Sequence, residues 1–270
     1  MENRMISSLQ RWTLLGAVTV GLFLASGVMA EEKKETKKEP TKALTALQII
    51  ERVDKNQVFG TRQAFVTMRI KKRGRIRTKK IESFSKGAKT SYMKFTYPSR
   101  DKGVKYLRLG DNLWMYMPSA EKTIKLSGHM LRQSMMGSDF SYEDMLDNSA
   151  LKDRYHFKII KSEKIDGNDC YLIEMNQKKK GETYPKRRVW VDKKTYVVRK
   201  SEMYALSGRL LKVMHMSKVK KYGEDRYYTT KMRMQNKLRK GTWTETVLTK
   251  IRFKVPLDNE IFNVRNLTSE

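Results

Sequence analysis

From Gly60 almost to the C terminus the chain alternates apolar and polar side chains with a period of two, and short turn sequences interrupt the runs. Successive side chains of an extended strand point to opposite faces, so this period excludes long helices over most of the length. In Met93-Lys94-Phe95-Thr96-Tyr97 the pattern places Met93, Phe95 and Tyr97 on one face; Tyr155, Phe157 and Ile159 repeat it. The interruptions carry turn chemistry: Arg73-Gly74, Lys86-Gly87, Gly110-Asp111-Asn112, Asp166-Gly167-Asn168, Ser207-Gly208, Tyr222-Gly223 and Lys240-Gly241. Turns this short join neighbouring antiparallel strands. The spacing predicts strands near residues 63–72, 75–86, 89–97, 104–109, 112–117, 120–126, 153–161, 169–177, 186–192, 196–204, 209–220, 225–237 and 242–254. Helices do not alternate with them, so no nucleotide-binding βαβ unit can be built, and the class is mainly β with helices (α+β).

Two segments break the period. Residues 43–58 repeat apolar side chains every three positions, with Leu47, Ile50 and Val53 on one stripe and Thr41 ahead as a cap, which predicts one amphipathic helix. Residues 127–150 are too long for a hairpin loop. Met130, Leu131 and Met135 share a helical face there, and Ser141 with Asp144 has the form of a capping box before Met145 and Leu146. The expectation is a methionine-rich helical insertion lying across the sheet.

The N-terminal thirty residues read as an export signal. Arg4 and Arg11 precede the apolar run Thr13 to Leu24, and Val28-Met29-Ala30 places small residues where a signal peptidase reads. The run is shorter than the roughly twenty residues that span a bilayer. Loss of Arg4, Arg11 and Glu2 would lower the net charge only from +29 to +28. Residues 31–42, rich in Lys, Glu and Thr with nothing to bury, suit a solvated, disordered linker. The organisation expected is therefore a signal peptide at 1–30, a charged linker at 31–42 and one folded domain at 43–270.

The residues that would carry catalysis are sparse. One cysteine, Cys170, and three histidines, His129, His156 and His215, stand at no metal-ligand spacing, so no metal and no cofactor are expected. Cys170 lies in an apolar-rich strand and reads as a small buried hydrophobe. Ser83-Phe84-Ser85-Lys86 and Ser217-Lys218-Val219-Lys220 have the form Ser-x-x-Lys, but both lie in predicted strands, where positions three apart face opposite ways. Asp139, Glu143 and Asp147, four apart, could form an acidic edge for a cation or an acid-base pair; in so basic a chain, pairing with Lys or Arg is the simpler reading. The sequence is thus read as non-enzymatic.

Basic clusters, Lys71 to Arg77, Lys178-Lys179-Lys180, Lys186-Arg187-Arg188 and Lys237 to Lys240, fall at turns or strand ends. They read either as a surface for an anionic membrane or a protein partner, or as solubility and protection of sheet edges; nucleic acid is not an expected partner of an exported chain. Large, soft apolar side chains are the other signal. Trp114, Met115, Met117, Trp190, Met203, Met214, Met232, Met234 and Trp243 lie on strands, and Met130, Leu131, Met135, Phe140 and Met145 lie in the insertion. Methionine adapts to irregular apolar partners, which suits an acyl-chain cavity as well as an ordinary core.

The helix ending Ile49-Ile50-Glu51-Arg52-Val53-Asp54, the stretch Gly110 to Pro118, the segment Gly137 to Asp144 and the late Arg188-Val189-Trp190-Val191-Asp192 together resemble outer-membrane lipoprotein-sorting proteins of the LolA-like family. The resemblance covers nearly all of residues 43–265. It implies an unclosed antiparallel β half-barrel of 11–13 strands covered by helices, working as a periplasmic carrier of lipid or lipoprotein acyl chains. An inner-membrane transporter and an outer-membrane acceptor would be its partners. On that reading the nine strand residues named above become candidate lining, and the five insertion residues a candidate lid.

Overall fold

The computed structural model describes residues 43–147, 151–223 and 226–268. The expected signal peptide and charged linker lie outside the described residues. Thirteen antiparallel strands form one sheet: β1 Thr61–Lys72, β2 Arg75–Lys86, β3 Thr90–Tyr97, β4 Lys105–Leu109, β5 Asn112–Met117, β6 Lys122–Leu126, β7 Tyr155–Ile165, β8 Asn168–Gln177, β9 Lys186–Asp192, β10 Val198–Tyr204, β11 Leu210–Lys221, β12 Tyr227–Asn236 and β13 Trp243–Phe253. Two α-helices stand among the described residues, α1 Ala46–Gln57 and α2 Leu151–Arg154. The sheet order is β6-β5-β4-β3-β2-β1-β13-β12-β11-β10-β9-β8-β7, so every neighbouring pair but one is a sequence-adjacent hairpin. The exception is β13 against β1, which joins two meanders into one open sheet. β6 and β7 are its opposite edges, so residues 127–154, which connect them, must run from one edge to the other.

Within that connection, residues 127–147 cross one face of the sheet, but not as a helix. They form three 3-10 turns, Gly128–Arg132, Met135–Gly137 and Glu143–Met145. The helical expectation fails because Ser127-Gly128, Ser134 and Gly137-Ser138 recur before any run completes two turns, and Met136 and Gly137 both take positive φ, 51° and 76°. Only the Asp144 half of the expected capping box persists: its carboxylate accepts from Ser141 N at 2.7 Å and Ser141 Oγ at 3.0 Å.

Helix α1 starts four residues later than the expected Thr41 cap. Thr45 Oγ1 accepts from Gln48 N at 3.3 Å and Gln48 Oε1 accepts from Thr45 N at 2.9 Å, a complete capping box. The buried stripe is Ile49, Ile50, Val53 and Asn56, whereas Leu47, expected on it, lies in the first turn and is 47% exposed.

The two halves of the covered face are filled by different elements. Over β1 to β6, the crossing segment buries Met135 and Tyr142 against Met68, Ile70, Ile81, Phe95, Tyr106, Leu113 and Leu126. Over β7 to β11, α1 buries Ile49, Ile50 and Val53 against Tyr155, Ile173, Met175, Val189, Val191, Val198 and Met216. The opposite face of β2 to β5 is covered by the C-terminal residues, where Phe262 and Leu267 pack on Leu107, Phe84, Tyr92 and Trp114.

Candidate functional site

Between α1 and β8 to β12 the packing is incomplete and leaves a cavity of about 360 Å³. Its strand wall is Met175, Val189, Val198, Met203, Met214, Met216, Met232 and Met234; α1 contributes Val53, and Phe140 reaches in from the crossing segment. Register explains the convergence. Met214 pairs with both Ser201 and Met234, and Met216 with Met232, so alternate positions of three adjacent strands point the same way. The partly exposed lining, Gln57, Val58, Tyr227 and Tyr228, lies at the C-terminal end of α1 and the start of β12. There Asn56 holds the helix down, donating to Thr195 O at 2.7 Å and accepting from Tyr227 N at 3.2 Å.

Elsewhere the cavity lining is polar, at Asp144, Asp147 and Arg187. Asp147 accepts from Arg187 at 2.6 Å and Arg154 at 2.7 Å, and Arg187 Nε donates to the Tyr155 hydroxyl at 3.0 Å. Burial works against the Asp147 charge, but the two guanidiniums outweigh it and hold its carboxyl below the usual carboxylate range. Asp144 accepts from Lys212 at 2.5 Å and from the Tyr184 hydroxyl at 2.6 Å. Burial, then the neighbouring Asp144, pushes the Tyr184 hydroxyl well above the ordinary phenol range, so it stays a neutral donor. Asp139 accepts from the Thr242 and Thr244 hydroxyls, both at 2.7 Å. Asp139, Asp144 and Asp147 are therefore dispersed, each fastening the crossing segment to a different partner, and Asp139, Glu143 and Asp147 form no shared acidic edge.

Of the residues singled out from the sequence, Met203, Met214, Met232 and Met234 line the cavity. Met115 packs beneath the crossing segment, and Met117, half-buried, ends the same strand at matching parity. The three tryptophans lie on the opposite face: Trp114 under the C-terminal residues, Trp190 beside Cys170 and Leu172, and Trp243 with the Arg233 guanidinium 4.6 Å from its ring. Met130, Leu131, Met135, Phe140 and Met145 all pack into the β1–β6 half, and Phe140 alone also borders the cavity. Cys170 is buried, and burial pushes its thiol up to about 11. Both Ser-x-x-Lys sequences lie in strands, β2 and β11. Among the described residues no His, Cys, Asp or Glu cluster is suited to a metal ion.

Residues 87–269 match the model of a family of uncharacterized proteins. The chain belongs to that family. Its fold is LolA-like. A LolA superfamily protein from Nitrosomonas europaea has a TM-score of 0.67 and 27% identity, covering 82% of this chain and 98% of its own. An outer membrane lipoprotein-sorting protein domain from Vibrio parahaemolyticus reaches 0.74 at 27% identity, covering 83% and 98%. A DUF1329 family protein from Desulfovibrio piger reaches 0.76 at 26% identity, covering 82% and 97%. No curated protein matches the sequence.

Sequence reasoning passed over Arg108 and Lys212 and placed Arg187 in a surface cluster, yet all three are buried cations of this LolA-like sheet. Arg108 is 1% exposed and donates to Gly110 O at 2.9 Å and to Met145 O at 3.1 Å, tying the crossing segment to β4. Burial lowers its guanidinium from the ordinary range. Arg187 and Lys212 are likewise buried at covered-face positions of β9 and β11. Parity was the available signal: Arg108 is two residues from Tyr106, and Lys212 two from Met214, on the same faces.

Proposed function

We propose that this chain is a periplasmic, non-enzymatic carrier that holds an acyl chain of a lipid or lipid-modified protein in the cavity beneath α1. The observation that carries the reading is a methionine-walled hollow of about 360 Å³ left open on the covered face of a LolA-like sheet. Its size falls within the roughly 300–1,000 Å³ of small-ligand sites. Four adjacent unbranched methionines, Met203, Met214, Met232 and Met234, can repack around a flexible guest. Burying an acyl chain contributes about 0.8 kcal/mol per methylene, so a fourteen-carbon chain gains on the order of 10 kcal/mol before ordering costs. The Vibrio parahaemolyticus domain described as lipoprotein-sorting supports the cargo class, and the export signal expected at residues 1–30 supports the compartment.

Protein purified from the periplasm should release acyl-bearing molecules on organic extraction, identified by mass spectrometry. A protein that yields none, and that leaves a fluorescent fatty-acid probe unbound, overturns the proposal.

A further inference from the structure

Six hairpin turns point to one end of the sheet, and the strand registers set four of them next to one another. Lys71 at the end of β1 pairs with Trp243 at the start of β13, Lys212 with Asn236, Tyr204 with Leu210, and Tyr204 with Lys186. The turns 72–75, 236–243, 204–210 and 177–186 therefore stand side by side. They carry Arg73, Arg75, Lys179, Arg209, Arg239 and Lys240, all exposed. Their one acid, Glu182, is already paired with Arg154. The other two turns of this end, 98–104 and 118–121, carry Asp101, paired with Lys79, and Glu121, while at the opposite ends of the strands Asp111, Asp166 and Asp192 sit among lysines.

The same rim exposes apolar side chains. Leu206 is 83% exposed at the tip between β10 and β11, Ile76 56% just past the β1–β2 turn, and Leu238 51% between β12 and β13. Cations alone would serve solubility; cations interleaved with greasy tips match a surface that is anionic outside and apolar just beneath. At the β1–β2 tip Arg73 and Gly74 take φ of 51° and 74°, the two-residue turn that suits the twist of a hairpin.

We propose that this rim docks on an anionic phospholipid bilayer, the arginines and lysines meeting headgroup phosphates while Leu206, Leu238 and Ile76 enter the interface. The partly exposed cavity lining, Gln57, Val58 and Tyr227, belongs to the other ends of the strands, so docking and guest binding use separate surfaces.

Co-sedimentation of the mature chain with vesicles tests this. It should bind vesicles of phosphatidylcholine mixed with phosphatidylglycerol, less so at high salt, and leave pure phosphatidylcholine in solution. At about 1 kcal/mol per basic residue near the surface, Arg75→Gln/Lys179→Gln/Arg239→Gln should weaken binding on the order of a hundredfold. Lys164→Gln/Lys194→Gln/Lys220→Gln, at the opposite strand ends and of equal net charge, should change it by less than about threefold. Leu206→Ser with Leu238→Ser should also weaken it. Equal losses in the two triple variants, equal binding to both vesicle types, or binding to lipopolysaccharide without binding to phosphatidylglycerol overturns the rim. Fatty-acid probe binding should survive the rim variant, so a failed rim and a failed carrier give different results.

Discussion

At the scale of single residues, the decisive groups are charges buried under apolar neighbours. Asp147 carries two guanidiniums, Arg187 and Arg154, and removing its charge leaves both without that partner in a low-dielectric site. Asp147→Asn is expected to lower unfolding free energy by about 3–5 kcal/mol, measured by urea denaturation at neutral pH. An unchanged midpoint would show the triad to be idle. The pH dependence has a definite sign. The folded carboxyl titrates below its unfolded value of about 3.9, so its contribution is complete at neutral pH and fades as pH drops through about 4 and below. Asp192, opposed by burial but held low by the Thr195 and Lys194 amides and by Arg199, adds in the same direction. The acid limb of the native protein should therefore be steeper than that of Asp147→Asn. Residue identity alone did not reveal which side chains face the hollow. Methionines and tryptophans both looked suited to a guest, yet parity sends Met203, Met214, Met232 and Met234 inward and Trp114, Trp190 and Trp243 outward. Alternation separates two faces without saying which one the helix covers.

At the scale of elements, legibility follows the locality of the signal. Strands were readable because each alternating run ends at its own turn residues, and all thirteen appear within a few residues of their expected bounds. Helix α1 was readable, and its start was marked in the chain by Thr45-Ala46-Leu47-Gln48, a capping box passed over for Thr41. The crossing segment was misread as helical because its conformation is set by distant partners: Lys212 on Asp144, Thr244 on Asp139 and Arg108 on the Met145 carbonyl. Those anchors make a local prediction. Lys212→Met should raise amide hydrogen exchange of residues 141–146 by at least about tenfold and leave β1 to β3 protected, because the segment opens without the sheet. If segment and sheet lose protection together, the crossing segment is part of the cooperative core and cannot serve as a separate cover.

At the scale of the described sheet, the two halves of the covered face are unequal. The crossing segment fills the β1–β6 half with its own Met135, Tyr142 and neighbouring side chains, whereas α1, with three buried apolar residues, leaves the other half hollow. An unfilled apolar space forfeits contacts that a guest can restore, so occupancy should stabilise the fold by mass action. A guest at one hundred times its dissociation constant contributes about 2.7 kcal/mol, which for a chain of this size raises Tm by roughly 5–10 °C. Met214→Trp fills part of the same space from a position on the cavity wall. It should keep the unliganded Tm within a few degrees, because the indole enters empty volume, and abolish the fatty-acid shift. Differential scanning calorimetry with a medium-chain fatty acid distinguishes the cases. A shift that persists in Met214→Trp places the guest elsewhere on the molecule, and no shift in the native protein means the hollow is a packing defect that no acyl chain enters.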